Sequence, residues 1–237
     1  MIKIKTLKNK YFIINCANSL VDIVKDMLEI SLYKTKEIYD FFKIDSFRCV
    51  TANLFDDLNE FKSFIANIRG ISIDDLPKYV QGTFDKGMIN AYINPNVKKD
   101  NIFYKRISHM IFHELSHTIY LEYILKNDVS KRIIWLDEGL AQNLSGEFTD
   151  DDLNDFLNKF KSFKNIPNLN ELRHGKKFVN DDYNGYVISY LVVKYLTQTR
   201  GYDDLLTILK SNELSKELGN EITNEMKEYY LKKNKVK

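Results

Sequence analysis

The chain has 237 residues, 44% of them apolar, with 35 basic and 33 acidic side chains and a net charge of +2. Charges so evenly mixed exclude the electrostatic footprint of a nucleic-acid binder, and no apolar run approaches the length of a membrane span. Three prolines and nine glycines predict helices with few tight turns, in one large domain or two small lobes sharing a core.

The first residues, MIKIKTLKNKYFIINC, lack a sustained apolar segment and a small-residue cleavage site, so a cytoplasmic location is expected. YFIINC (11–16) reads as a buried strand, and 19–42 has helical apolar spacing at Leu20, Ile23, Val24, Met27, Leu28, Leu32 and Ile38. FRCVTANL (47–54) is a second strand. A helix follows over 55–68, with acids in its first turn where the helix dipole favours them. Cys16 and Cys49 fall in these strand-like contexts and are expected as two buried thiols, not as a disulfide. Two further strands are predicted around 79–84 and 88–94, joined by Asp-Lys-Gly and ended by Asn94-Pro95, since proline cannot donate to a ladder. After about residue 100 strand signals stop. Helices are expected over 101–126, 131–146, 150–163, 183–200, 202–210 and 213–232, and the basic end KKNKVK (232–237) reads as a solvated terminus. The fold class is therefore α+β: an α/β lobe with a small sheet over 1–100, a helical lobe over 101–237, and an active cleft where they meet.

The helix at 107–121, ISHMIFHELSHTIYL, is apolar around most of its circumference, as a buried helix is. His113 and His117 are one turn apart and project from one face toward a common point. Glu114 is the sole carboxylate in the stretch, and a buried carboxylate requires a partner. Two such histidines can hold a zinc ion while the adjacent glutamate acts as general base. The alternative is a pair of hydrogen-bonded core histidines with a salt-bridged glutamate, and the rarity of HExxH in a chain with four histidines weighs against it. His109 is two turns before His117, about 12 Å along the axis, and is assigned a packing or supporting role. His174, in the polar stretch ELRHGKK, is expected to be exposed.

Catalytic zinc takes three protein ligands and keeps one position open. WLDEGLA (135–141) lies just past the loop after the HELSH helix. Twenty residues between His117 and Glu138 allow one helix to end and the next to return alongside it. Glu138 then faces the metal, with Asp137 as the rival acid about 100° away on the same helix.

HExxH followed about twenty residues later by Glu within W-L-x-E-G-x-A resembles the gluzincin metallopeptidases, in particular their aminopeptidase-like, peptidase MA-like branch. The resemblance covers roughly residues 80–205, with a spacer slightly longer than in thermolysin. It implies a zincin (thermolysin-like) fold and one Zn2+ per chain held by His113, His117 and Glu138, with Glu114 as general base. It also implies that Tyr186, in a Y-x-x-[small]…Y-L…G stretch with Ser189 as the small residue, hydrogen-bonds the oxyanion; Tyr183 and Tyr190 are rivals for this role. GMINAYIN (87–94) corresponds to the edge strand that pairs with substrate, making Met88, Ile89, Asn90 and Ala91 substrate-binding residues. The branch's aminopeptidases carry a Glu in G-x-M-E-N where this chain has Ile89, which favours endopeptidase over aminopeptidase action.

The expected function is hydrolysis of a peptide or protein substrate by zinc-activated water. Two alternatives stand beside it: a non-catalytic peptide- or protein-binding module on the same fold, and a regulatory protease with one protein substrate. Neither nucleic acid nor membrane is an expected partner. Residues 1–75 carry no recognisable motif and suit a substrate-side or a structural lobe equally.

Overall fold

The computed structural model describes residues 4–77, 80–101, 103–174, 178–211 and 215–232. It is α+β with one mixed sheet. Two compact units divide it, Met1–Thr118 and Ile119–Lys237. Tyr79 in the third predicted strand, residues 213–214 of the last predicted helix and the terminus from residue 233 lie outside the described residues.

The first unit is built on strands β1 (Ile4–Lys8), β2 (Phe12–Ala17), β3 (Val50–Phe55), β4 (Gly82–Asp85) and β5 (Met88–Tyr92), with helices α1 (Val21–Phe41), α2 (Leu58–Arg69) and α3 (Tyr104–Ile119). The strand order is β1-β2-β3-β5-β4. The central three are parallel, and β1 and β4 close the sheet antiparallel at its two ends. Strand β1 was not expected from the sequence. All but one of its residues are exposed, so it has almost no buried face to write an apolar pattern.

The strand pleat sorts the side chains. Phe12, Ile14 and Cys16 share one face with Val50, Ala52, Leu54, Ile89 and Ala91, and all are buried. Phe112 of α3 packs edge-on against Phe12 on this face, with ring centroids 6.0 Å apart. The opposite face carries Phe55 and Tyr92, against which α2 buries Phe61 and Ile65. The same face holds a polar row in register across the strands. Thr6 donates to Asn15 (2.8 Å), Asn15 to Asn53 (3.0 Å) and Asn53 to Asn90 (2.9 Å), and Thr83 is paired with Asn90. Each amide gives one hydrogen bond and accepts another, which is how a half-buried polar row avoids its desolvation cost. Cys16 is buried as expected, but Cys49 is exposed because it precedes β3 and never enters the sheet.

The second unit opens with a π-helical turn (Tyr120–Ile124) and a short 3-10 turn (Val129–Lys131), followed by α4 (Ile134–Ser145), α5 (Asp150–Ser162), α6 (Gly185–Thr199), α7 (Gly201–Ser211) and α8 (Lys216–Lys232). Helix α6 is buried on nearly all sides, from Val187 to Val193 without a break, as its continuous apolar sequence requires. Helices α4, α5, α7 and α8 pack around it. Asn184 caps α6 by accepting from the Tyr186 and Val187 amides (2.9 and 3.3 Å), and a Thr149–Asp152 capping box starts α5. Among the described residues no helix is long and apolar enough to cross a membrane.

Candidate metal centre

From Ser108 to Ile119 every residue of α3 is buried except Met110, His113 and His117. Spacings of three and four put these three on one stripe. The rest of the helix is anchored by Ile111, Phe112, Leu115 and Ile119, each at most 1% exposed. Its buried hydroxyls are satisfied within the helix, Ser116 donating to the Phe112 carbonyl and Thr118 to that of Glu114, both at 2.9 Å. Packing therefore fixes the rotation of α3 and leaves the histidine pair on its one unburied line. The two imidazoles stand edge to face, with centroids 4.8 Å apart.

Glu114 is buried on the next face, turned toward β4. Its carboxylate lies so close to Gly82 that a β-carbon there would fall well inside the contact distance of Oε1. Gly82 shares the sheet face of Ala91.

Helix α4 repeats the pattern. Between Ile133 and Gln142 only Ile134 and Glu138 escape full burial. The glycine after Glu138 has a steric cause: a β-carbon at Gly139 would collide with the Ser189 carbonyl oxygen and lie 2.7 Å from Val193 Cγ2. Gly139 and Ser189, the small residues of the two motifs, are thus the contact between α4 and α6. Asn143 secures the crossing by donating to the carbonyls of Gly139 (2.8 Å) and Tyr190 (3.1 Å).

One ligand atom each from His113, His117 and Glu138 lie within 4.8 Å of one another. Tetrahedral zinc with bonds of about 2.0–2.2 Å sets its ligand atoms roughly 3.3 Å apart, so this group can converge on a single ion. Two imidazoles and a carboxylate, each half-buried, also match a three-ligand site with an open position. Asp137, the rival acid, is not in the group. Its side chain is 3% exposed and receives Nε of Arg132. The same guanidinium reaches Glu138 Oε1 at 3.4 Å. Burial works against the charge of Arg132, but the two adjacent carboxylates outweigh it and hold its pKa above the usual value.

His109 is buried with its ring edge-on to Phe112 (5.8 Å), a packing role as expected, and His174 is exposed. Tyr186 is half-buried in the first turn of α6, with its ring edge-on to Phe178 (4.9 Å). Tyr183 is half-buried in the preceding turn. Tyr190 is a core residue packed between Phe148 and Phe156, and burial, reinforced by nearby acids, pushes its hydroxyl up to about 12.

The expected substrate strand requires correction. β5 is not an edge: it pairs with β3 on one side and β4 on the other. Ile89, Asn90 and Ala91 are fully buried, and Met88 is half-buried beside them. Their backbone groups are committed to two ladders and cannot receive a third strand. The edge is β4. Because Gln81 accepts from the Tyr92 amide (2.8 Å), Thr83 and Asp85 also face β5, and Gly82 and Phe84 direct their N–H and C=O groups toward the outer edge. The reading of Ile89 as a missing amine anchor falls with the strand, since its side chain is in the core. Gly82 and Arg132 are the two site residues that sequence reasoning missed. Neither belongs to a motif, and only the register of β4 and the reach of a guanidinium over five and six residues reveal them.

In comparisons with known proteins, no family model matches the chain and no curated sequence matches it.

Proposed function

We propose that this protein is a zinc-dependent peptidase of the gluzincin type on a zincin-like fold, hydrolysing peptide bonds with His113, His117 and Glu138 as metal ligands. The observation that carries the reading is that ligand atoms of those three residues lie within 4.8 Å of one another, with Glu114 on the same helix as the histidines and against an edge strand. When bound, zinc supplies Lewis-acid chemistry, polarising a carbonyl and making water nucleophilic at neutral pH.

The protein's own groups do the rest. A peptide added to the outer edge of β4 pairs with the backbone of Gly82 and Phe84. The absent side chain at Gly82 lets the peptide and the Glu114 carboxylate lie together. Glu114 takes a proton from the attacking water and returns it to the leaving amine. In this reading Tyr186 serves as oxyanion donor in preference to Tyr190, which the aromatic core encloses.

The test is hydrolysis of a quenched-fluorescent peptide library with blocked and free amino termini, with and without a chelator. Glu114→Gln is expected to lower turnover by about 10²–10⁴-fold, the usual worth of a general base, while one zinc per chain is retained. Cleavage of blocked peptides identifies endopeptidase action. Full turnover in the Gln variant, or turnover indifferent to the chelator, refutes the reading.

A further inference from the structure

Arg132 stands outside every motif, yet its guanidinium touches both acids of WLDEG. Its backbone is fixed first. It closes the 3-10 turn by donating to the Val129 carbonyl (3.1 Å), and Asp128 caps that turn through the Ser130 amide (3.2 Å). From this anchor the guanidinium reaches forward over the first turn of α4. Nε donates to Asp137 Oδ2 and Nη2 to Glu138 Oε1 at 3.4 Å.

Consecutive helix residues point about 100° apart, so a single planar group that bonds both carboxylates fixes the direction of each. Asp137 is the buried end of this arrangement and Glu138 the more open one, with side chains 3% and 14% exposed. A carboxylate has two oxygens. The Glu138 carboxylate thus meets Arg132 while one of its oxygens lies in the group with His113 and His117.

We infer that Arg132 is a positioning residue for the metal: anchored by Asp137, it orients the Glu138 carboxylate and thereby sets zinc affinity. This rests on the peptidase reading above. It makes a prediction of opposite sign to simple electrostatics. A positive group beside a cation site weakens binding, so on charge alone its removal tightens zinc. Positioning requires that its removal loosen zinc, and partners behind metal ligands are typically worth about 10–100-fold in affinity.

The experiment is zinc affinity by competition with a chromophoric chelator, on the full chain at fixed pH, for the wild type, His113→Ala, Arg132→Lys and Arg132→Gln, each checked for folding by circular dichroism. Weakening of about 10–100-fold in Arg132→Gln, with a smaller loss in Arg132→Lys, is expected. Unchanged or tighter binding in either folded variant overturns the inference. Should Arg132→Gln fail to fold with Asp137 left charged and buried, Arg132→Lys decides alone, because it keeps the counter-charge and loses only the forked geometry. A wild type that binds no zinc, or a His113→Ala variant that binds it equally well, overturns the zinc reading itself and this inference with it.

Discussion

The two helices that carry the proposed metal ligands are seated in different ways, and a glycine marks the difference in each. α3 is rotated into place by its own apolar residues, and the glycine near it, Gly82 on β4, clears space for the tip of one flexible side chain, Glu114. α4 is seated by contact of backbone with backbone, Gly139 against the carbonyl of Ser189. The first glycine protects a chemical group and the second protects a helix crossing. The same substitution should therefore do opposite kinds of damage at the two sites.

Gly139→Ala should give the larger loss of stability. In a helix, alanine is favoured over glycine by about 0.8–1.0 kcal/mol. Against that, the new carbon meets a backbone carbonyl that cannot rotate away, and overpacking typically costs about 1–3 kcal/mol. The steric term wins at a contact this close, and a net destabilisation of up to about 2 kcal/mol is expected in urea unfolding, together with weaker zinc binding as Glu138 is carried with its helix. A variant as stable as the wild type would mean that the crossing tolerates separation, and the contrast between the two seats would collapse.

Gly82→Ala should leave stability within about 0.5 kcal/mol, because the three nearest atoms it meets belong to the flexible side chain of Glu114, which can turn aside. Turnover should fall by one to two orders of magnitude, on the order of 1.4–2.7 kcal/mol in the barrier, with zinc still bound. Loss of zinc in this variant would show that β4 supports the histidines as well as the glutamate.

What could be read from the sequence follows the same division. The α3 site was legible because its evidence is local. Apolar residues surround a single helix, so the two histidines at i and i+4 announce both the helix and its special face. Spacing singled out Glu138 over Asp137, which points about 100° away, and the structure groups Glu138 with the two histidines while Asp137 meets Arg132. The substrate strand was misread because GMINAYIN looks like any half-buried strand. Edge or interior is decided by which strands flank it, and that depends on the hairpin at Lys86 and Gly87 returning β4 to the outside. β1 left no pattern because it buries almost nothing. The helices of the second unit were found within a few residues of their ends, α5 and α7 from their amphipathic spacing and α6 from its continuous apolar run.

The smallest expected effect concerns the exposed start of α3. Asp26 on α1 accepts hydrogen bonds from Lys99 (2.8 Å) and from the Tyr104 hydroxyl. Burial works to raise its pKa, but these two partners outweigh it and hold the carboxyl below the usual value. A lowered pKa means that the folded state favours the ionised form. Its contribution is present above the unfolded-chain value near 4 and fades as pH falls through the lower folded value. The pair is largely solvent-screened, so Asp26→Asn should cost less than about 1 kcal/mol at pH 7 and nothing at a pH below the folded pKa. Zinc affinity should not change, because the part of the helix that carries His113 and His117, two and three turns further along, is held by its own buried residues. If unfolding and chelator-competition measurements instead show zinc weakening together with stability, the seat of α3 extends to its exposed end, and burial alone does not explain how the histidine pair is held.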